Sequence, residues 1–497
     1  MFDGTSPPRL RIDIASDQAR QLRRDSRQYV PAIVRDGEEV FQRVGIHLKG
    51  STGSFRSIDD KPALTLDFSK FIPGQIFHGF RKIHLNNSVE DPSYFNEFIG
   101  AELFRAAGVP TPRVTHARVE LNGRDLGLYV LKEGFDETFL KQHFRQTNGN
   151  LYDTGTGHDV NEALQRDRGD GPGDRSDLKA LTLAAQEPDL PKRWQALEKA
   201  LNVERFISFM VMEVMLGHRD GYCLAKNNFR IYHDPESHKM VFLPHGMDQL
   251  FGKPDAPLQP TMHGLVARAL METPEGRKRY RERFAFLLTN VLDVAAVRRR
   301  ADDFLARVRP ILKPGEAHEL ERALAGVKNR VAERRHSLEQ QLQMPELKPL
   351  QFVNGIARLA TWRPVDTPAN GILEQTKSSD GRRALHIRAG PLTSASWRSN
   401  VLLTKGRYRF QGAVRTSSVE ALNFGKNKGA GLRILGAGRS SPFQLVGDND
   451  WKELEVQCDI GAEQEIELIC ELRARKGEVW FDLDSLRVLK IPYRLVK

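Results

Sequence analysis

The chain has 497 residues, room for about three average domains. Its 40% hydrophobic and 28% charged residues are those of a globular protein and argue against long-range disorder. No stretch approaches the roughly 18 consecutive apolar residues of a membrane helix; the longest, Phe206 to Leu216, is broken by Ser208 and Glu213, so no membrane span is expected.

With 75 basic and 64 acidic residues the net charge is +11, which suits an anionic partner such as a nucleotide, an acidic protein or an anionic glycan. The excess forms no dense stripe interleaved with aromatics, so a nucleic-acid partner is not expected. The cysteines, Cys223, Cys458 and Cys470, are too few for a disulfide framework and form no CxxC knuckle. Cys458 and Cys470 flank a turn at Gly461 and would either pair across a hairpin in an exported protein or remain buried thiols. No signal peptide is visible in MFDGTSPPRL, and the compartment is left open.

Residues 9–15, 44–49 and 63–68 alternate apolar and polar side chains and read as strands, as does Lys82 to Leu85. Gly50 to Ser54 (GSTGS) is a turn of small residues. Asp91-Pro92-Ser93 caps a helix that runs to Ala107 and stops at Gly108 and Pro110. A hairpin follows, Thr115–Leu121 and Leu126–Lys132, turning at Asn122-Gly123. Helical periodicity then takes over in Glu137–Phe144, Trp194–Leu201 and Val203–Leu216, with the polar, glycine-rich Thr154–Asp177 read as a long loop. Phe229–Tyr232 and Met240–Leu243 are short strands around Asp234-Pro235-Glu236, and 276–343 is helical and charge-laced. QMPELKPL, residues 343–350, reads as a linker. Beyond it, close-spaced alternating runs such as RYRFQGAV and EIELICELRA predict an antiparallel β-sandwich. The expected class is therefore α+β over 9–345, two-lobed, followed by an all-β sandwich over 351–497.

A small β-lobe followed by helices and a late polar cluster suggests a nucleotide-binding enzyme. In the cluster, Asp220, Asn227, Asn228 and Asp248 fall within 29 residues, on loops bordering two short strands. Phosphoryl transfer needs carboxylate and amide oxygens for hard cations and a further carboxylate for the attacking hydroxyl. Taken singly, loop aspartates are turn or cap residues; the ordered set favours function. His218, His233, His238 and His245 lack the spacing of a zinc site, and Cys223 has no paired histidine.

GSTGS, Lys61-Pro62, NEFIGAELFRAAGVPTP, NGRDLGLYVLKE, HRDGY…NNF and MDQLFG occur in this order over roughly residues 9–345. On these motifs the chain resembles the CotH (spore coat protein H) kinase family, atypical protein kinases with a divergent kinase-like fold. The resemblance implies ATP as substrate with Mg or Mn, transfer to Ser or Thr hydroxyls of a protein, and an extracellular or cell-surface setting. It makes Asp220 the catalytic base, Asn228 and Asp248 the metal ligands with Asn227 the alternative amide, and Lys61 the lysine that meets the phosphates. Lys82 competes by strand order. Glu97 would pair with that lysine, with Glu102 a poorer match, and the backbone of Gly50, Ser51, Gly53 and Ser54 would cradle phosphates. Where family members carry Trp-Asp before the last metal aspartate, this chain has His245-Gly246.

Trp362, Trp397, Trp451 and Trp480 lie in the second domain, and would either fill the sandwich core or bind a glycan; Trp480, inside a strand, is expected to be buried. Two other readings stay open: a catalytically inactive kinase-like scaffold that binds glycans through the sandwich, and transfer of AMP or action on a small molecule.

Overall fold

Leu10 and Ile12 alternate with exposed Arg9, Arg11 and Asp13, so the first strand, β1 (Arg9–Asp13), has one apolar face to bury. In the computed structural model it does so by closing a barrel with β2 (Val30–Asp36), β3 (Glu39–Lys49), β4 (Ala63–Asp67), β5 (Lys82–Asn86), β6 (Val114–Leu121) and β7 (Arg124–Glu133), in the order β1-β2-β3-β4-β5-β7-β6. Residues 6–51, 53–171, 173–344, 347–359, 361–424, 428–435, 444–461 and 463–492 are described. They divide into two units, Met1–Met344 and Pro345–Lys497.

Two barrel elements have no clear sequence signal. The helix α1 (Ser16–Arg24) buries only Ala19 and Leu22, and β2 carries Pro31, which speaks against a strand interior. The helix expected after Asp91 is present as α2 (Asn96–Ala106): the Asp91 carboxylate accepts from the backbone N–H of Ser93 and Asn96.

After β7 come α3 (Glu137–His143), β8 (Leu151–Asp153), β9 (Gln165–Arg168), α4 (Ser176–Gln186), α5 (Leu190–Ala200), α6 (Val203–Leu216), α7 (Tyr222–Ala225), β10 (Phe229–Asp234) and β11 (Lys239–Pro244). Then α8 (Leu265–Glu272), α9 (Pro274–Asn290), α10 (Val294–Val308) and α11 (Pro314–Gln343) complete the helical lobe. The segment Thr154–Asp177, expected to be one loop, contains β9, which joins a sheet ordered β11-β10-β8-β9. Arg230 on β10 pins it by ion pairs to Asp153, at 2.5 Å, and to Asp167.

Helix α6 is apolar all round, and 12 of its 14 residues are buried, which makes it the axis of this lobe. Each fully buried Phe, Met or Leu on it contributes about 1.5–3 kcal/mol by removal from water. The long α11 ties the lobes together: Glu316 in its first turn receives Arg118 of β6 at 2.9 Å.

The second unit holds β12 (Ile356–Arg358), β13 (Arg363–Val365), β14 (Ile372–Lys377), β15 (Arg383–Arg388), β16 (Thr393–Leu403), β17 (Gly406–Ala421), β18 (Gly429–Leu435), β19 (Gly447–Ile460), β20 (Gln464–Asp482) and β21 (Arg487–Ile491). The first half of β20 pairs with β16 and β18, the second half with β15 and β17, so one long strand serves both layers of the sandwich. Trp362 and Trp397 lie in its core.

One expectation is corrected here, and of two open readings of the cysteines one is realised. Trp480 is not a core residue: its neighbours Val479 and Phe481 face the core, and period-two alternation turns Trp480 to the other face, half-buried. Cys458 and Cys470 do not bond across a hairpin. They sit on β19 and β20, which pair with other strands, and both thiols are free and buried.

Candidate active site

The barrel has two faces, set by register. Leu48, Leu64, Leu85 and Leu131 lie opposite one another across β3, β4, β5 and β7 and point into the barrel core. One residue out of phase, His47, Thr65, His84 and Lys132 form a row on the outer face, with Lys49 and Asn86 on the same side. Helix α2 packs on this face through Glu97 in its first turn, which is 2% exposed.

Lys132, 4% exposed, donates to Glu97 Oε1 at 2.7 Å. The other carboxylate oxygen accepts from Asn86 Nδ2, and Asn86 Oδ1 in turn accepts from Lys49 Nζ at 2.6 Å. Burial alone would raise the Glu97 carboxyl, but the charges of Lys132 and Lys49 and the hydrogen bonds hold it below its ordinary value. Lys49 is pushed down to about 7, first by burial and then by the neighbouring Lys132 charge, against the pull of Glu97 and Asp248. His84 is held neutral by burial and by the same lysines.

On the helical lobe, α6 ends where Gly217 enters the left-handed region at φ 66°, and His218-Arg219-Asp220 follow. Buried Glu213 of α6 organises this loop by accepting from the backbone N–H of Tyr222 at 2.9 Å and Cys223 at 2.8 Å. A Cβ on Gly221 would overlap that carboxylate, which explains the glycine after Asp220. Asp220 then accepts from Asn227 Nδ2 at 2.9 Å and from Asn228 Nδ2 at 2.7 Å, one bond to each oxygen.

The β10–β11 hairpin returns the chain beside this pair. His245 N–H donates to the Asn228 carbonyl, and Gly246, with φ 61°, lies against Asn228 Oδ1. A side chain at Gly246 would overlap that amide and sit at a positive φ, so it would displace Asn228 from its bond to Asp220. Asp248 follows, its carbonyl accepting from Asn96 of α2 at 2.8 Å. Burial, with Glu97, Glu90 and Asp91 nearby, raises the Asp248 carboxyl to about 7.

The structure thus brings Asp220, Asn227 and Asn228 into one hydrogen-bonded group with Asp248 across Gly246. Gly53 borders this region: a Cβ there would overlap Glu90, and Glu90 accepts from Gln249, next to Asp248, at 2.6 Å. Gly50, Ser51 and Ser54 belong to the same turn, in which Ser51 carbonyl accepts from Ser54 and Phe55; residue 52 of the GSTGS motif lies outside the described residues.

Lys61 and Lys82 were the expected partners of Glu97, and neither is. Lys61 precedes β4 and donates to the Tyr94 hydroxyl at 2.6 Å, with its ammonium over the Tyr94 and Tyr129 rings. Lys82 shares the outer face but lies 3.9 Å from Asp67. Glu102 pairs with Arg300 of α10. Lys132 and Lys49 escaped notice in the sequence. The signal was there for Lys132, a lysine directly after the apolar run LGLYVL, in which a solvent-facing position has no place. Among the described residues no three His, Cys, Asp or Glu side chains form a metal cluster. Cys223 is fully buried and its thiol is pushed well up by burial and Glu213, which suits packing.

Residues 46–330, more than half of the chain and the stretch that holds Asp220, Asp248 and the Lys132–Glu97 pair, match the model of the CotH kinase protein family. The chain belongs to it. It is therefore a kinase-like protein. Inner spore coat protein H of Bacillus subtilis is 22% identical over 361 residues, covering 65% of this chain and 93% of that protein. Invasin CotH2 of Rhizopus delemar is 27% identical over 188 residues, covering 34% of this chain, and the alignment spans only 32% of the invasin. Among solved structures, HipA of Shewanella oneidensis MR-1, in its complex with HipB and operator DNA, aligns with 68% of this chain and 75% of that one at 12% identity and a TM-score of 0.33. TmCBM61, solved with β-1,4-galactotriose, aligns with 28% of this chain and 92% of that one at 14% identity and a TM-score of 0.22.

Proposed function

We propose that the cleft transfers the γ-phosphoryl group of ATP to a Ser or Thr hydroxyl of a protein. The observation that supports this reading is the buried Lys132–Glu97 pair, whose carboxylate lies near enough to Asp248 to help raise its carboxyl, together with the Asp220–Asn227–Asn228 hydrogen-bonded group. In such a transfer the acceptor oxygen bonds to the γ-phosphorus, the bond to the bridging oxygen of ADP breaks, and the hydroxyl proton leaves. Asp220 takes that proton, its carboxylate aimed by the amides of Asn227 and Asn228. Lys132 and Lys49 meet phosphate oxygens, and Glu97 holds the Lys132 ammonium directly and that of Lys49 through Asn86. Lys61 lies on tyrosines instead and supports the lobe.

Mg²⁺ or Mn²⁺ fits this site. The Asp248 carboxyl, raised to about 7 by burial and by Glu97, Glu90 and Asp91, would be relieved of that crowding by a divalent cation, and Asn228 Oδ1, against Gly246 two residues before Asp248, offers an amide oxygen. Bound there, such an ion would neutralise charge on the transferring phosphates.

The deciding test is labelling of the full chain or an added protein acceptor from γ-labelled ATP with Mn²⁺, set beside α-labelled ATP and Asp248→Ala. Label from γ-ATP alone, lost in the variant, supports phosphoryl transfer; label from α-ATP points to AMP transfer, and no label from either to a scaffold.

Lys49 adds a pH signature. Near pH 7 it is half neutral in the free protein, and bound triphosphate favours the ammonium. Nucleotide binding at pH 8 is therefore expected to take up close to one proton, and affinity to fall by up to about tenfold per pH unit above 7. Calorimetry in buffers of different ionisation enthalpy measures the uptake, and Lys49→Met should abolish it.

The relatives are named as an inner spore coat protein and as an invasin, and a surface setting for this chain is part of the proposal. The second unit would then hold the enzyme against a glycan.

A further inference from the structure

The outward side of the second unit carries more than a solvated sheet needs. Across β14, β15, β20 and β17, register places Glu374, His386, Trp480 and Arg415 in one row, each on the face opposite the core residues Leu385, Ile387, Val479 and Phe481. Trp480 stacks on the His386 imidazole, with ring centres 4.9 Å apart and planes 9° apart. His386 bonds to Glu478 Oε2 at 2.8 Å. It is 6% exposed, and its Nδ1 has no hydrogen-bond partner among the described residues; Glu374 Oε1 stands 3.7 Å away, too far for one.

The β14–β15 turn folds over the end of this row. Its Ser379 hydroxyl accepts from Arg415 at 2.9 Å, and its Asp380 accepts from Trp451 Nε1 at 2.8 Å. Arg382 of the same turn lies over the Trp451 ring at 4.9 Å while paired with Asp380 at 3.1 Å and Asp482 at 3.4 Å. Two indoles are thus locked outside the core, one by a stacked imidazole and one by a hydrogen bond and a guanidinium. An indole kept out of the core contributes little to folding, and locking it lowers the entropic cost of binding something.

We propose that this face, with Trp480 at its centre and Trp451 at its edge, binds a neutral polysaccharide chain. The polar groups around the indoles combine acceptors (Glu374, Glu478) with the Arg415 donors, the mixture that hydroxyl groups satisfy from both sides. Arg382 is neutralised by Asp380 and Asp482, and Arg415 shares its face with the carboxylates Glu374 and Glu478, so the surface has no surplus positive charge for an anion. The proposal rests on the reading of the second unit as glycan-directed and names the surface responsible.

The test is affinity electrophoresis of the full chain through gels containing soluble xylan, galactan, a mixed-linkage glucan or polygalacturonate. Retardation by at least one neutral polymer is expected, with the dissociation constant rising about tenfold or more in Trp480→Ala and less in Trp451→Ala. Glu374→Gln, a milder change on the same face, is expected to weaken binding as well and keeps the test open if Trp480→Ala fails to fold. Retardation unchanged in all three variants would place the glycan elsewhere and overturn this surface while leaving the glycan reading standing. No retardation in any neutral gel would overturn both. Self-association of the chain that Trp480→Ala abolishes would assign the face to a second copy instead.

Discussion

Asp220→Asn is expected to lower phosphoryl transfer by about 10²- to 10⁴-fold, the range that a positioned general base supplies. The substitution keeps the shape of the side chain but removes its capacity to accept a proton. It also replaces one of two acceptor oxygens by an NH₂, so one of the donors Asn227 and Asn228 loses its partner. The loss of one such bond costs on the order of 1 kcal/mol, small against the fall in rate. The fall should appear in kcat with little change in nucleotide affinity, because the lysines and Asp248 that face the nucleotide are untouched. Initial rates with γ-labelled ATP, together with a thermal midpoint to confirm folding, measure both; a variant with undiminished rate would remove Asp220 from the reaction.

The largest stability effect is expected at a residue far from the chemistry. Arg334 of α11 is fully buried, and its guanidinium donates to the carbonyls of Val214 at 2.8 Å and Met215 at 3.2 Å at the end of α6. It also donates to Pro254 at 3.1 Å, and to Ala256, in the segment beyond Asp248. Burial lowers its guanidinium to about 10, so it remains charged at neutral pH. These bonds satisfy carbonyls that a helix end leaves unpartnered and join α6, which carries Glu213 and leads into Asp220, to the strand-return segment and to α11. Arg334→Met keeps most of the volume but strips every donor, leaving the Met215 and Pro254 carbonyls without this partner, while Val214 retains the Gly217 N–H and Ala256 retains Gln341. A loss of about 3–5 kcal/mol is expected, read as a lower urea midpoint at unchanged slope. A shift below about 1 kcal/mol would mean that water or neighbouring groups take over these carbonyls.

How much of the site the sequence discloses depends on the range of the contacts. The loop residues Asp220, Asn227, Asn228 and Asp248 lie close together along the chain and flank a hairpin, so their proximity follows from the local turn at Asp234-Pro235-Glu236 and the β10–β11 register. Their grouping was visible in sequence. The partner of Glu97 was not, because 35 residues separate it from Lys132, and Lys49, Lys82 and Lys132 share the outer face of the barrel, so the choice depends on where along that face α2 sets Glu97 down. A shift of one residue in register would have turned Lys132 into the barrel core.

The same division holds in the second unit. Alternating runs were enough to expect a sandwich, since a period of two can bury only one face of a strand. They did not say which face, and Trp480 shows the consequence: its neighbours Val479 and Phe481 take the core side, so the indole faces out.

By itself, then, the amino-acid order determined the kinds of elements, the division into an α+β part and an all-β part, and the loop group around Asp220, all of which follow from periodicity and short-range turns. Only the tertiary structure decided the Lys132–Glu97 pairing, the position of Lys61 against tyrosines, the exclusion of a side chain at Gly246 and the outward Trp480. Each of these depends on which surfaces long-range packing brings within a few ångströms, and local backbone preference carries no information about that.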